Sequence, residues 1–227
     1  MGNFFRLDGP FVRFGTKVAN LLVLNFITIL FSVPIITIGP VITAAHYTAY
    51  KISRDEETSV VKHFWHAFKI NFKPALGLGL LSLLCLVILA ANIFFLLYGA
   101  VQIPIRFLKY LYIVILALLA VIGFFILSWA FVLESRYTDP VKRILKNCVY
   151  VILTNFKKTL GISLLGLVPI ALVLLSMQTC LIVLVCGFSV TAFLQARIYG
   201  KVFAALEKTD ESEENGEEEL PAPEEGE

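Results

Sequence analysis

Long apolar runs dominate the pattern of hydrophobic and polar positions along this chain. Residues 18–50, 74–105, 110–133 and 159–196 contain no Asp, Glu, Lys or Arg. Each run exceeds the roughly 20 residues that a helix needs to cross a hydrocarbon core of about 30 Å. The runs lack the alternation of apolar and polar positions that is typical of membrane β-strands. The pattern predicts an all-α, polytopic helical membrane protein.

The first run is interrupted by Pro34, Gly39 and Pro40. One helix over residues 18–50 would be about 50 Å long, far more than a membrane requires. Pro34 disfavours helix continuation, and Gly39-Pro40 is a turn signal that also begins a helix. We therefore predict a hairpin turn at Pro34, Gly39 and Pro40. Its second arm, residues 37–52, is only about 24 Å long, so it crosses a thinned bilayer or is partly re-entrant.

The distribution of Lys and Arg favours this hairpin, because these residues collect on the cytoplasmic side of membranes. With six crossings, 17 of them lie inside and only Arg106 and Lys109 lie outside; with five crossings the count is 14 against 5. The remaining spans are predicted at residues 75–98 and 110–133, and in the run 159–196 divided at 177–179. We expect about six transmembrane helices in three hairpins, with both termini cytoplasmic.

Two amphipathic segments, residues 59–73 and 139–158, precede the second and third hairpins. The first has an apolar stripe at Val61, Phe64, Trp65, Phe68 and Phe72, and the second at Ile144, Leu145, Cys148, Ile152 and Phe156. Asp139 is the predicted N-cap of the second helix and Pro140 its first residue. Both helices are expected to lie in the cytoplasmic interface. The predicted basic residues at that interface are Lys62, His66, Lys69, Lys73, Lys142, Lys146, Lys157 and Lys158.

The two segments also match in sequence. "NFKPALGLGLLSLL" begins at Asn71 and "NFKKTLGISLLGLV" begins at Asn155, 84 residues later. A second pair, "GPVITA" at Gly39 and "GFSVTA" at Gly187, lies in the predicted return arms. Either the chain repeats a unit of interfacial helix, outgoing span and returning span, or Leu-rich helices resemble one another by chance.

The charges divide the chain into residues 1–206, the transmembrane helical domain, and residues 207–227, an acidic C-terminal tail. The tail contains 11 acidic residues and one basic residue, and too few apolar ones to fold alone, so we predict that it is disordered. It either forms a solvated brush or lies over the basic helices and competes with anionic lipid headgroups.

Candidate catalytic chemistry is sparse. The chain, 58% hydrophobic and 16% charged with a mean hydropathy of +0.83, has no nucleotide-binding loop, Ser/His/Asp set or paired intramembrane carboxylates. We assign no catalytic, cofactor-binding or metal-binding residue and expect no cofactor. Glu134 and Arg136 are interpreted as a salt-bridged helix end, and Asn20, Asn25 and Asn92 as interhelical contacts.

Several motifs before residue 75 are similar to those of one family. They are Pro-Phe-Val-Arg-Phe at 10–14, Leu-Asn at 24–25, Ser-Val-Pro-Ile-Ile-Thr-Ile-Gly at 32–39, Thr-Ala-Ala-His-Tyr at 43–47 and Phe-Trp-His-Ala-Phe-Lys-Ile-Asn-Phe-Lys at 64–73. The chain resembles the YesL-like family of bacterial integral membrane proteins, a domain of unknown function. The resemblance implies a bacterial cell membrane location and genes beside carbohydrate ABC importers and glycan-degrading enzymes.

The resemblance and the sparse chemistry together lead to a functional expectation. We expect a non-catalytic accessory or regulatory protein of carbohydrate ABC import, with permease subunits and anionic lipid headgroups as partners. The alternative is a small autonomous transporter or channel, and a membrane-embedded enzyme is the least favoured class. A homo-oligomer is compatible with either role, and no nucleic-acid partner is expected.

Overall fold

The computed structural model describes residues 10–56, 59–98, 106–137 and 139–218. Within these ranges the chain is helical and contains no strand. The helices are α1 Pro10–Ser32, α2 Ile38–Ser53, α3 Val60–Ile70, α4 Phe72–Leu97, α5 Arg106–Arg136, α6 Val141–Thr154, α7 Phe156–Leu175, α8 Met177–Ile182 and α9 Phe188–Glu218. A π-helical segment, Val183–Gly187, joins α8 to α9.

Five stretches of helix among the described residues are long and apolar enough to cross a membrane: Phe11–Ser32, Phe72–Leu96, Phe107–Arg136, Phe156–Leu175 and Met177–Glu207. Their surfaces expose many Leu, Ile, Val and Phe side chains, which a bilayer would cover. The prediction of an all-α, multi-pass membrane protein is confirmed. The remaining predicted span is the second one along the chain. It corresponds to α2, which has only 16 residues.

The chain reverses direction between α1 and α2. Pro34 has an extended backbone (φ −75°, ψ 117°), and a short 3-10 turn over Ile35–Thr37 follows it. Lys17 near the start of α1 pairs with Asp55 just after α2, at 2.7 Å, so the two arms run antiparallel. Gly39 and Pro40 are placed in the buried first turn of α2, where a proline costs no helical hydrogen bond. The reversal itself lies before them, around Pro34.

Helix α2 is the centre of the bundle, packing against α1, α3, α4, α5 and α9. It can be central because its buried face is made of small side chains, among them Ala44, Ala45 and Ala49. At Gly39 the backbones of α2 and α4 come so close that an added Cβ would collide with the Ala75 carbonyl oxygen. The same Cβ would lie 3.0 Å from the Cα of Gly79.

The α1–α2 hairpin is shorter than the hairpin of α4 and α5. The tip of the α1–α2 hairpin shares a cavity with α4, in which Ile35 and Ile36 lie beside Leu83 and Leu86. Helix α4 continues from Leu86 to its end at Leu97, another 11 residues or about 16 Å. The tip therefore ends within the layer that α4 and α5 span, and its exposed side chains are apolar.

A buried asparagine joins the first hairpin to the third. The side chain of Asn25 in α1 donates to the carbonyl oxygen of Leu184 at 2.7 Å and accepts from the backbone N–H of Ser189 at 3.1 Å. The π-helical segment changes the regular hydrogen-bond register there, and the Asn25 amide contacts both backbone groups. Asn92 in α4 likewise pairs with Tyr112 in α5. Asn25 and Asn92 are thus interhelical contacts, as the sequence predicted.

The apolar stripe of α3 divides between two environments. Phe64 and Phe68 are buried, and both rings contact Phe31 of α1, whereas Val61 and Trp65 are exposed. The stripe therefore does not face the bilayer as one surface, because α2 and α1 cover half of it. Helix α6 behaves similarly, since Ile144, Cys148 and Val151 are buried in the bundle.

The predicted repeat has a structural counterpart. Asn71 lies at the junction of α3 and α4, and Asn155 lies at the junction of α6 and α7. Each asparagine ends an amphipathic helix and begins an apolar one. The N-cap of α6 is Pro140 rather than Asp139, because the Asp139 carboxylate pairs with Arg143 at 2.9 Å instead of capping the helix.

Helix α9 continues beyond the domain boundary that the sequence predicts at residue 206. It extends to Glu218, so the first part of the acidic tail is helical, and residues 219–227 lie outside the described residues. The sequence predicts a break at 177–179, but these residues lie in α8 and the break is at Ser176. The Ser176 hydroxyl accepts from the backbone N–H of Gln178 at 3.1 Å and caps α8.

The close contact between α2 and α4 predicts that a methyl group added at Gly39 destabilises the protein. We expect Gly39→Ala to lower the free energy of unfolding by about 1–3 kcal/mol, because the rigid backbone of α4 must move. Gly15→Ala is the control, since a Cβ there meets nothing within 4 Å and alanine favours helix. Thermal unfolding of both detergent-purified variants measures the difference. A Gly39→Ala protein as stable as the wild type would contradict the close contact.

The charge distribution predicts the orientation in the membrane. Met177 is 89% exposed at the α7–α8 turn, and Lys69 and Lys146 are exposed on α3 and α6. A membrane-impermeant maleimide added outside intact cells should label Met177→Cys, but should label Lys69→Cys and Lys146→Cys only after permeabilisation.

The background for this labelling is the chain with Cys85, Cys180 and Cys186 replaced by Ala. Cys148 can remain, because burial raises the pKa of its thiol to about 12 and keeps it protonated. Labelling of Lys69→Cys in intact cells would show that the orientation is opposite to the one predicted.

Candidate functional site

The ends of α2, α5 and α9 meet around an aromatic cleft of about 380 Å³. We call this end the basic end of the bundle, because Lys51, Arg54 and Arg136 line the cleft there. Its aromatic walls are Tyr47, Tyr50, Tyr137, Tyr199 and Phe203. Helices α2 and α9 are joined there by a hydrogen bond from the Tyr199 hydroxyl to the carbonyl oxygen of His46, at 2.9 Å, and by the packing of Tyr50 on Tyr199.

Arg136 is the cation nearest to the aromatic walls. Its guanidinium lies 5.4 Å from the ring centre of Tyr50 and 5.5 Å from that of Phe203. The Nε of Arg136 also donates to Glu207 of α9 at 3.0 Å. A planar guanidinium can stack on rings and pair with a carboxylate at once, which an ammonium group does less well. Arg136 thereby joins α5 to α2 and α9.

The loop after α2 supplies the other charges of the cleft. The Lys51 ammonium donates to the Glu56 carboxylate at 2.7 Å, and Arg54 lies 3.6 Å from the same carboxylate. The hydrogen bond from Lys51 lowers the pKa of Glu56. This stabilising contribution is present above the ordinary pKa of a glutamate and is lost as the pH falls through the lowered pKa.

A second cavity, of about 830 Å³, lies beside the aromatic cleft and shares Tyr50, Arg54 and Glu207 with it. We call it the basic groove. Its other charged residues are Lys158 at the start of α7 and Arg197 and Lys201 on α9. Ala196, Gly200 and Ala204 form its floor at four-residue steps, so the groove follows the backbone of α9.

The interpretation of Glu134 and Arg136 as a salt-bridged pair at a helix end is wrong. Its side chain is 1% exposed, and neither carboxylate oxygen has a hydrogen-bond partner among the described residues. Arg136 points to Glu207 instead. The physical reason is that residues 129–135 at the end of α5 are packed inside the bundle, and Trp129 there donates to the Thr159 hydroxyl at 2.9 Å.

A third cavity, of about 560 Å³, opens between α4 and α5. Its lining is almost entirely apolar and includes the small residues Ser82, Cys85, Ala120 and Gly123. We call it the apolar groove. It begins at the level of the α1–α2 tip, where Ser82, Leu86 and Leu127 line both cavities, and continues along α4 to Asn92.

The eight basic residues that the sequence predicts at the membrane interface lie mostly outside the three cavities. Lys62, His66, Lys69 and Lys73 are exposed on α3 and the start of α4, while Lys142, Lys146 and Lys157 are exposed and Lys158 half-buried on α6 and α7. Of these eight residues only Lys158 lines a cavity described above. Their position at a membrane interface remains a prediction.

Apart from Lys158 and Arg136, the residues of the two cavities at the basic end were not assigned from the sequence. They come from helices that are distant in the chain, as the pair Arg136 and Glu207 illustrates. Residues such as Tyr199, Phe203 and Glu207 recur at four-residue steps, and this spacing could have indicated that they share one face of a helix. No three His, Cys, Asp or Glu residues cluster as metal ligands in the described part of the chain.

Comparison with known proteins gives one similarity. A family model described as "Protein of unknown function, DUF624" matches residues 18–93, about a third of the chain. The matched part covers most of α1, all of α2 and α3, and most of α4, so it includes the close contact at Gly39. No curated protein and no solved structure matches the chain.

The packing of Arg136 predicts that its shape matters as well as its charge. Arg136→Lys keeps the charge but loses the flat contacts with Tyr50 and Phe203, so we expect a stability loss of about 1 kcal/mol. Arg143→Lys is the matched control, because Arg143 is exposed and pairs with Asp139 alone in the same helical region. Its cost should stay below about 0.5 kcal/mol. Thermal unfolding in detergent compares the two, and equal losses would refute the stacking role.

Proposed function

We propose that the protein is a non-catalytic integral membrane protein that assists or regulates carbohydrate ABC import by binding a permease subunit. The observation that carries this proposal is the apolar groove between α4 and α5. A protein that works by contact with a membrane partner needs a surface within the bilayer, and this groove is such a surface. The YesL-like resemblance of the sequence supports the choice of importer as the partner.

The groove is open because the α1–α2 hairpin reaches only its near end, where Ser82, Leu86 and Leu127 line both cavities. Beyond the α1–α2 tip, the side chains of α4 and α5 are largely exposed, for example Val87 and Ile88 on α4 and Leu118 and Leu119 on α5. A Cβ added to Gly123 would meet nothing within 4 Å. The α4–α5 hairpin thus presents free apolar surface along about half its length.

The lining of the groove favours a helix as its occupant. Small residues at a surface let another helix come close, and in lipid such close packing drives helix association. Ser82 and Cys85 on α4 face Ala120 and Gly123 on α5 across the groove. Asn92 lies in the lining and pairs with Tyr112, which places one polar contact in an otherwise apolar surface. A transmembrane helix of a permease subunit fits these properties.

A substitution that fills the groove tests the proposal. We expect Gly123→Trp to reduce recovery of permease subunits in a mild-detergent pull-down by about tenfold or more, because the indole occupies the space of the partner helix. Leu164→Trp is the control, since Leu164 is exposed on α7, outside the groove. The pull-down uses a bacterial host that expresses its native importers. Mass spectrometry identifies the captured subunits.

Two results would count against the proposal. One is the absence of any permease subunit among the proteins captured by the wild type. The other is equal capture by wild type and Gly123→Trp. Sugar or ion flux through the purified protein in liposomes would favour the transporter class instead.

A further inference from the structure

We propose that the basic groove is a binding site for the phosphate group of an anionic phospholipid. The inference is independent of the permease proposal, because it concerns the opposite end of the bundle and other residues. It rests on three properties of the groove: its charge, the small residues of its floor, and its continuity with an apolar surface on α9.

The groove has an excess of positive charge. Among the described residues, its lining has the cations Arg54, Lys158, Arg197 and Lys201 and one carboxylate, Glu207. Glu207 is already paired with Arg136. Lys158, Arg197 and Lys201 make no ion pair with any described residue. Their charges are therefore available to a phosphate, which accepts hydrogen bonds from Arg and Lys.

The floor of the groove is open to a headgroup at Ala204, which is exposed, whereas Ala196 is buried and the Tyr50 ring covers Gly200. Ala196, Gly200 and Ala204 are small and share one face of the helix. The ring of Tyr50 leans over Gly200, so that a Cβ there would lie 3.0 Å from the Tyr50 Cε2 atom. Tyr50 forms one wall, and the cavity of about 830 Å³ has room for a phosphate with its attached glycerol.

The surface of α9 next to the groove fits acyl chains. Val190 and Leu194 are exposed, and they precede Arg197 and Lys201 by three- and four-residue steps along one face. Apolar side chains thus lie on the membrane-spanning part of this face, and cations lie at its end. A phospholipid has the same division, with acyl chains in the core and a phosphate at the surface. This continuity is the reason to choose a lipid over free phosphate.

The test measures binding of phosphatidylglycerol to the detergent-purified full chain by native mass spectrometry. Phosphatidylcholine with the same acyl chains and inorganic phosphate are the comparison probes. We expect the wild type to bind phosphatidylglycerol preferentially, and Arg197→Gln with Lys201→Gln to weaken that binding by about tenfold or more. Arg197→Lys with Lys201→Arg keeps both charges and should retain binding.

The matched control is Lys142→Gln with Lys146→Gln, which removes the same charge from exposed positions of α6. It should bind phosphatidylglycerol like the wild type. Unchanged binding by the Arg197→Gln, Lys201→Gln protein would overturn the site, and so would an equal loss in the control. Inorganic phosphate that displaces the lipid at equal concentration would overturn the assignment to a phospholipid.

Discussion

The fold depends on the burial of a helix that is too short to stand in lipid alone. Helix α2 has 16 residues, about 24 Å, whereas the hydrocarbon core is about 30 Å thick. Its ends would expose unpaired backbone groups to lipid, which is costly unless protein surrounds them. Five helices surround α2, and at Gly39 only the absence of a side chain permits the approach of α4.

Both candidate surfaces follow from the position of α2. Because its hairpin ends at the level of Leu86, the described side chains of α4 and α5 beyond that level are largely exposed, and the apolar groove stays open. At its other end, α2 brings Tyr50 and Arg54 between α5 and α9. There Arg136 and Glu207 complete the aromatic cleft, and Arg197 and Lys201 continue into the basic groove. One short helix thus separates an apolar surface from a basic one.

The sequence predicted the features that arise within single elements. Apolar runs gave the spanning helices, Pro34 gave the reversal before α2, and the repeated Asn-Phe-Lys marked two helix junctions. It predicted that Asn25 and Asn92 contact other helices, but it did not predict their partners or which faces of a helix another element covers. An amphipathic stripe cannot show whether lipid or protein covers it, so the burial of Phe64 and Cys148 was missed. The burial of Glu134 was missed for the same reason. The partners of Asn25 depend on the π-helical segment, which no residue pattern predicted.

The central claim is that the α1–α2 hairpin ends inside the bilayer, and the depth of a spin label at Val33 tests it most directly. Val33 is 75% exposed at the tip, so the label does not disturb packing. In liposomes, electron paramagnetic resonance compares its relaxation by oxygen, which concentrates in hydrocarbon, with that by a water-soluble nickel complex. The account predicts strong relaxation by oxygen and little by nickel. Relaxation by nickel equal to that of a label at Met177 would contradict it.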